Sequence, residues 1–212
     1  NPTMNAYVIA DVTITNPDGD TFLSDLSAPL ITSEWIPGQP GYQSLTIDLN
    51  ADVSYTTTGD FVLDVQQARN LALDTDGYIE GTVAAGVGPL NLTGGYIDIT
   101  ADGALVIDHV QAGTVYLDAG GDITTSPLIG TLIASSLDLT GSNVNVNTQA
   151  NSIYIDASGS VNVTNTGVDV NSLDIDAVGN VSFDTSGDLR IGQVTGGALV
   201  SLIVDGSITT FA

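Results

Sequence analysis

The chain has 212 residues and carries 25 acidic side chains against 2 basic ones, a formal charge of −23. At 42% hydrophobic it is too apolar for an acidic disordered tail, and no apolar run approaches the roughly 18 residues that a membrane helix needs. Arg69 and Arg190 are the only fixed cations, too few to grip phosphates or anionic lipid, so neither nucleic acid nor membrane insertion is expected.

From the N-terminus, where Asn1 in place of Met suggests a processed product or an excerpt, residues 1–44 read as a hairpin cap, linker or inter-subunit segment. Val12–Thr15 and Thr21–Leu23 read as strands around Asn16-Pro17-Asp18-Gly19-Asp20, a run suited to a type I turn with a glycine bulge. A stretch with Pro29, Trp35, Pro37 and Pro40 follows, and a hairpin with an aromatic would cover the end of a repeat stack.

Residues 45–212 are organised by a repeat, aliphatic-x-aliphatic-(Asp/Thr)-small-x-Gly-x-aliphatic. It reads LALDTDGYI from Leu71, IDITADGAL from Ile97, VYLDAGGDI from Val115, IYIDASGSV from Ile153 and LDIDAVGNV from Leu173. A short copy starts at Leu137, a degraded one at Leu202, and an early one without the glycine at Leu45. The starts at 71, 97, 115, 137, 153 and 173 are spaced by 26, 18, 22, 16 and 20, a mean of about 20 residues. That period belongs to solenoids. Within each unit the period is two, the strand signature.

The fold class expected is therefore all-β: a parallel β-helix, or β-solenoid, of about 20 residues per coil in two or three short strands. Leu71, Leu73, Ile97, Ile99, Val115, Leu117, Leu137, Leu139, Ile153, Ile155, Leu173 and Ile175 are its expected core positions. Gly77, Gly103, Gly121, Gly159 and Gly179 mark corners where the backbone needs freedom that other residues lack.

Stacked, the copies predict two outward columns. One reads Asp98, Tyr116, Asp138, Tyr154, Asp174; the other reads Asp74, Thr100, Asp118, Thr140, Asp156, Asp176. Alternation keeps most like charges two coils apart, because acids directly opposite one another are destabilising. Of the 25 acids only Glu34 and Glu80 are Glu; the remaining 23 are Asp, a turn former and a poor helix former.

The strings from Val115, Ile153 and Leu173 resemble the L-x-L-x-A-x-G-x-I repeat of filamentous haemagglutinin-like bacterial exoproteins, over roughly residues 71–208. The resemblance implies a secreted right-handed parallel β-helix, exported through an outer-membrane partner and used as an adhesive or stalk fibre.

Catalytic residues are not expected. Cysteine is absent, His109 is the only histidine and lysine is missing altogether, which removes thiolate chemistry, a His-based zinc site and a P-loop. His109 reads as a surface or corner residue. Paired carboxylates could serve a glycosidase, but the charge would repel a polyuronate and one Trp makes a poor sugar platform.

No cofactor is expected apart from calcium, the cation that suits carboxylates. Its candidate ligands are the adjacent Asp156 and Asp176, and more weakly Asp18, Asp20 and Asp25, whose run is better explained as a hairpin turn.

The function expected is a rigid fibre or stalk segment of a secreted, cell-surface adhesin-like exoprotein, not an enzyme. Its partners would be cell-surface or matrix components, or further copies of itself end to end. The alternative is a self-assembling subunit of an extracellular filament.

Overall fold

The computed structural model describes residues 12–16, 31–35, 42–48, 52–57, 60–127 and 130–211. They form strands and turns with no helix, so no helix among them is long and apolar enough to cross a membrane. The strands coil as a β-solenoid of about eight turns, each some 18 residues from the next. Among the described residues, all strand pairings are parallel except one.

Two ladders run along the stack. The first, here the asparagine ladder, begins with β1 (Val12–Asn16), β4 (Asp52–Thr57), β6 (Asn70–Asp74) and β8 (Leu90–Thr93). It continues through the first halves of β10 (Leu105–Ala119), β12 (Thr131–Gly141) and β13 (Val144–Ala157), with β11 (Ile123–Thr125) beside them. It ends with β14 (Val161–Asn165), β16 (Val181–Thr185) and β18 (Val200–Val204).

The second, the tyrosine ladder, begins with β2 (Ile31–Trp35), which pairs antiparallel with β3 (Tyr42–Asp48). It continues with β5 (Asp60–Gln67), β7 (Tyr78–Val83) and β9 (Tyr96–Ala101), then the second halves of β10, β12 and β13. It closes with β15 (Val170–Ala177), β17 (Leu189–Thr195) and β19 (Ile208–Thr210). Each coil thus holds two runs: the third strand expected around Val168 does not form, and the chain turns after Asn165 straight into β15.

Of the expected N-terminal hairpin, only the first arm falls among the described residues. That arm, β1, lies parallel to β4 as a rung of the asparagine ladder. The turn and second arm, with Asp18, Asp20 and Asp25, lie outside the described residues. The boundary drawn at 44/45 falls inside β3.

Alternation along each run puts one set of side chains on the axis. All twelve expected core positions are buried, in one cluster with Phe183, Val161, Val163 and Leu189. On the last rung Val200 and Ile208 are exposed.

Two of the copies belong to the other ladder. Leu71 and Leu73 stack on Leu90 and Leu92 in the asparagine ladder, not beneath Ile97 and Ile99. The residue below Ile97 is Ile79, and the spacing of 26 shrinks to a coil of 18. Leu202 likewise stacks on Phe183, not on the column of Leu173. Both ladders use the same aliphatic-x-aliphatic code, so their strings look interchangeable.

Gly81 conceals the true predecessor by standing where the next coil has Ile99. Its φ is +149°, and a Cβ at this position would overlap the carbonyl of Leu63, which leaves room for no side chain.

The expected role of the corner glycines also changes. None of the five has a positive φ, so backbone freedom is not what they supply. Four of them, Gly103, Gly121, Gly159 and Gly179, supply closeness. A Cβ on Gly121 would come within 2.7 Å of Ala104 N, and one on Gly179 within 2.9 Å of the Gly159 carbonyl carbon. Gly103, Gly121, Gly159 and Gly179 share one corner, linked through Ser142 by main-chain bonds such as Gly179 N–H to Gly159 O, 2.7 Å. Gly77 belongs to the opposite corner, beneath Gly95 and Gly113.

Corners account for part of the preference for Asp. Asp122 Oδ1 accepts the Asn143 N–H (3.0 Å), Asn143 Oδ1 accepts Ser160 N–H (2.9 Å), Ser160 Oγ accepts Asn180 N–H (3.2 Å) and Asn180 Oδ1 accepts Leu199 N–H (3.2 Å). A second file runs from Asp169 to the N–H of Asp188 (2.9 Å) and from Asp188 to the N–H of Ser207 (2.8 Å). Coils lie about 4.8 Å apart, a gap that a one-methylene side chain spans and a Glu overshoots. Inside the stack, buried Asn165 closes a turn the same way: Oδ1 accepts Ala150 N–H (2.8 Å) and Thr148 Oγ1–H (2.9 Å), and Nδ2 donates to Val168 O (3.2 Å).

Two outcomes follow. Ile155→Ala should lower the unfolding free energy by about 2–5 kcal/mol in urea titration, while Val178→Ser, 72% exposed, should change it by less than about 0.5 kcal/mol. Asp188→Ala should cost about 1 kcal/mol; Asp188→Asn should recover it and Asp188→Glu should not, and full recovery with Glu would refute the reach argument.

Candidate binding face

The outward side of the tyrosine ladder gathers the chain's distinctive side chains. Its strands turn aliphatic residues inward, so intervening residues form three files along the stack. The first reads Asp60, Tyr78, Tyr96, Thr114, Ser136, Ser152, Ser172. The second reads Glu80, Asp98, Tyr116, Asp138, Tyr154, Asp174, Gln193. The third reads Asp64, Thr82, Thr100, Asp118, Thr140, Asp156, Asp176, Thr195.

The five members of the expected acid–tyrosine column therefore stand on five successive coils. The alternation stops at Glu80, which lies directly beside Asp98. Asp74 does not belong to the third file: it pairs with Thr56 and Thr93 on the asparagine ladder, and Thr82 occupies its expected place.

Tyr78 and Tyr96 fall outside the expected columns, although Tyr78-Ile79-Glu80 recurs 18 residues later as Tyr96-Ile97-Asp98, a signal that could have found them. Their rings touch, with centroids 5.3 Å apart and planes at 50°. Tyr116 extends the group diagonally, 5.6 Å from Tyr96 at 42°. Tyr78, Tyr116 and Tyr154 are 48%, 39% and 46% exposed, a large aromatic area for a solvent-facing sheet.

Tyr96 is half-buried between its neighbours and its hydroxyl donates a long bond to Asp98 Oδ2, 3.4 Å. Burial pushes its phenol above the usual range, followed by the charges of Asp98 and Tyr116, the bond to Asp98 and the charge of Glu80. Tyr96 stays neutral where carboxylates are ionised.

Asp156 and Asp176 are in register on neighbouring coils. Among the described residues, no three His, Asp or Glu side chains converge in a way that could hold a metal ion. The pair thus offers two carboxylates to a cation that takes 6–8 oxygens, leaving the remaining positions to water. Beside Asp156 an open depression of about 250 Å³ is lined by Thr140, Ser142, Ser158 and the main chain of Gly120 and Gly141. It holds one carboxylate and hydroxyls.

His109 is half-buried in β10, in register with Asn91 and Thr131 just after a one-residue bulge at Asp108. Arg190 lies over the ring of Phe211, 3.8 Å from its centroid. Arg69 is exposed at the turn between β5 and β6.

The opposite face is different in kind. Its outward file reads Thr124, Asn145, Asn162, Ser182, Ser201, and Asn162 Nδ2 donates to Asn145 Oδ1 at 2.8 Å. One side of the stack is acidic and aromatic; the other is richer in amides and hydroxyls, with Asp74, Asp108 and Asp184 as scattered acids along its strands.

Comparison with protein-family models, with curated proteins and with solved structures gives no match.

Asp138 provides a direct probe of the face. Burial raises its carboxyl above the usual range, and the neighbouring carboxylates of Asp156 and Asp98 raise it further. Folding therefore favours the protonated form. That contribution is complete below the unfolded carboxylate range and is lost as pH rises through the folded value. Asp138→Asn should raise the melting temperature at pH 7 and leave it nearly unchanged below about pH 3; an equal gain at both pH values would mean that charge is not the cause.

Proposed function

We propose that the chain is a rigid, structural segment of a secreted, cell-surface adhesin-like exoprotein. The observation that carries this reading is the parallel stacking of both ladders, continuous past a few local bulges, over a single aliphatic core. A stack bonded coil to coil resists bending and leaves few frayed edges for a protease. Every coil repeats the same bonding, so reach grows by about 4.8 Å per turn without any new kind of contact.

The acidic coat supports the same role. At −23 the particles repel one another, which keeps neighbouring fibres apart and dispersed. The resemblance of the Val115, Ile153 and Leu173 strings to the filamentous haemagglutinin-like repeat adds support for the bacterial surface as its place of action. The role needs no catalytic group. What the fold contributes is length, stiffness and a patterned surface.

Small-angle scattering of the purified chain should report a monomeric rod whose coils span on the order of 40 Å, from about eight turns at ~4.8 Å each. Antibodies against the chain should label intact cells of its source organism. Regular polymers in solution would replace this reading with that of a self-assembling filament subunit, and labelling only after permeabilisation would overturn the surface assignment.

A further inference from the structure

We propose that the tyrosine face is a docking surface for a basic, arginine-bearing segment of another protein. This goes beyond the spacer role, and either can fail alone, because one is read from scattering and cell labelling and the other from binding.

Three contiguous rings, Tyr78, Tyr96 and Tyr116, lie on one outward sheet surface, with Tyr78 and Tyr116 about half exposed. Core packing does not need them there, since the inward positions of the same strands already form the aliphatic core. Beside the rings, in the adjacent file, stand Glu80 and Asp98, and farther along the same file Asp138 and Asp174 flank Tyr154.

A ring face next to a carboxylate matches the two sides of a guanidinium. Its plane stacks on the aromatic ring while its N–H fork binds the carboxylate. The chain itself uses the first half of that contact where Arg190 covers Phe211.

Charge selects the occupant. A second copy brings another −23 and only two arginines, one of them already seated on Phe211. The rest of this chain has no further lysine or arginine to offer. The rings are tilted by 50° and 42° to one another, so they form no continuous flat platform for a run of sugar rings.

Spacing sharpens the prediction. Asp98, Asp138 and Asp174 occupy alternate coils, about 9.6 Å apart. An extended or polyproline-II segment advances about 3.1–3.4 Å per residue, so arginines at every third residue keep pace with that file.

The test is fluorescence anisotropy at physiological salt with a labelled (Arg-Ser-Ser)5 peptide, and with (Lys-Ser-Ser)5 at equal charge. The arginine peptide should bind at least threefold more tightly. Tyr78→Ser/Tyr96→Ser/Tyr116→Ser, which leaves the charge untouched, should weaken binding tenfold or more. Tyr116→Ser alone should weaken it about threefold, and the three Tyr→Phe changes should retain it. Asp74→Asn/Asp184→Asn, which removes charge from the asparagine ladder, should alter affinity by less than twofold.

Equal binding of the two peptides, or a Tyr116→Ser variant that binds like the parent, would reduce the effect to long-range attraction by net charge and overturn the proposal. Tighter binding of a neutral β-linked oligosaccharide, or self-association of the chain abolished by the serine variants, would overturn it in favour of those occupants.

Discussion

Parallel main-chain stacking at about 4.8 Å is the constraint on which the rest of this structure depends. When coils lie in parallel register, each side chain meets its own equivalent one turn away. A residue type that tolerates its own company is rewarded along the whole stack, and one that does not is penalised just as often. Aliphatic residues satisfy that rule on the inside, where Ile97, Val115, Leu137, Ile153 and Leu173 form a continuous file. Carboxylates violate it on the outside, and the response is to interleave them with tyrosine or threonine. Interleaving is not always enough: Asp138 stands between Tyr116 and Tyr154, yet burial, and after it the charges of Asp156 and Asp98, push its carboxyl toward the neutral form.

The same spacing selects side chains by length. At the corners the main chain cannot complete all of its bonds through strand pairing, and Asp, Asn and Ser reach one coil to accept the N–H left over. Short polar residues are also compatible with turns, so local preference and long-range bonding agree. Glycine has the complementary task. At the shared corner the chains approach until a Cβ would collide with the coil below, so the requirement is one of space between turns. A chain built on these rules becomes rich in Asp, Asn, Ser and Gly without any of them acting chemically.

Against that regular background, the two faces have diverged. The asparagine ladder presents amides and hydroxyls that bond to one another along the stack, as Asn145 and Asn162 do. The tyrosine ladder presents rings and carboxylates whose polar atoms are largely directed to solvent. A stack with chemically distinct sides can keep one partner on one side along its length. On the proposed reading, rigidity and recognition come from the same strands, the inward residues supplying one and the outward residues the other.

The sequence by itself determined the class of fold, the aliphatic core and the acid–tyrosine file, because period-two alternation and a coil-length repeat are local patterns that survive in one dimension. It also named Asp156 and Asp176 as neighbours. Tertiary structure alone decided which ladder each copy belongs to. Leu71 and Asp74 carry the same local code as their counterparts at Ile97 and Thr100, and only main-chain pairing separates them. Gly81 hid the true start of the tyrosine file because its reason for being glycine is the carbonyl of Leu63, eighteen residues away. The contact of Tyr78, Tyr96 and Tyr116 likewise exists only once their coils are in register, since ring packing depends on distances that the order of residues does not contain.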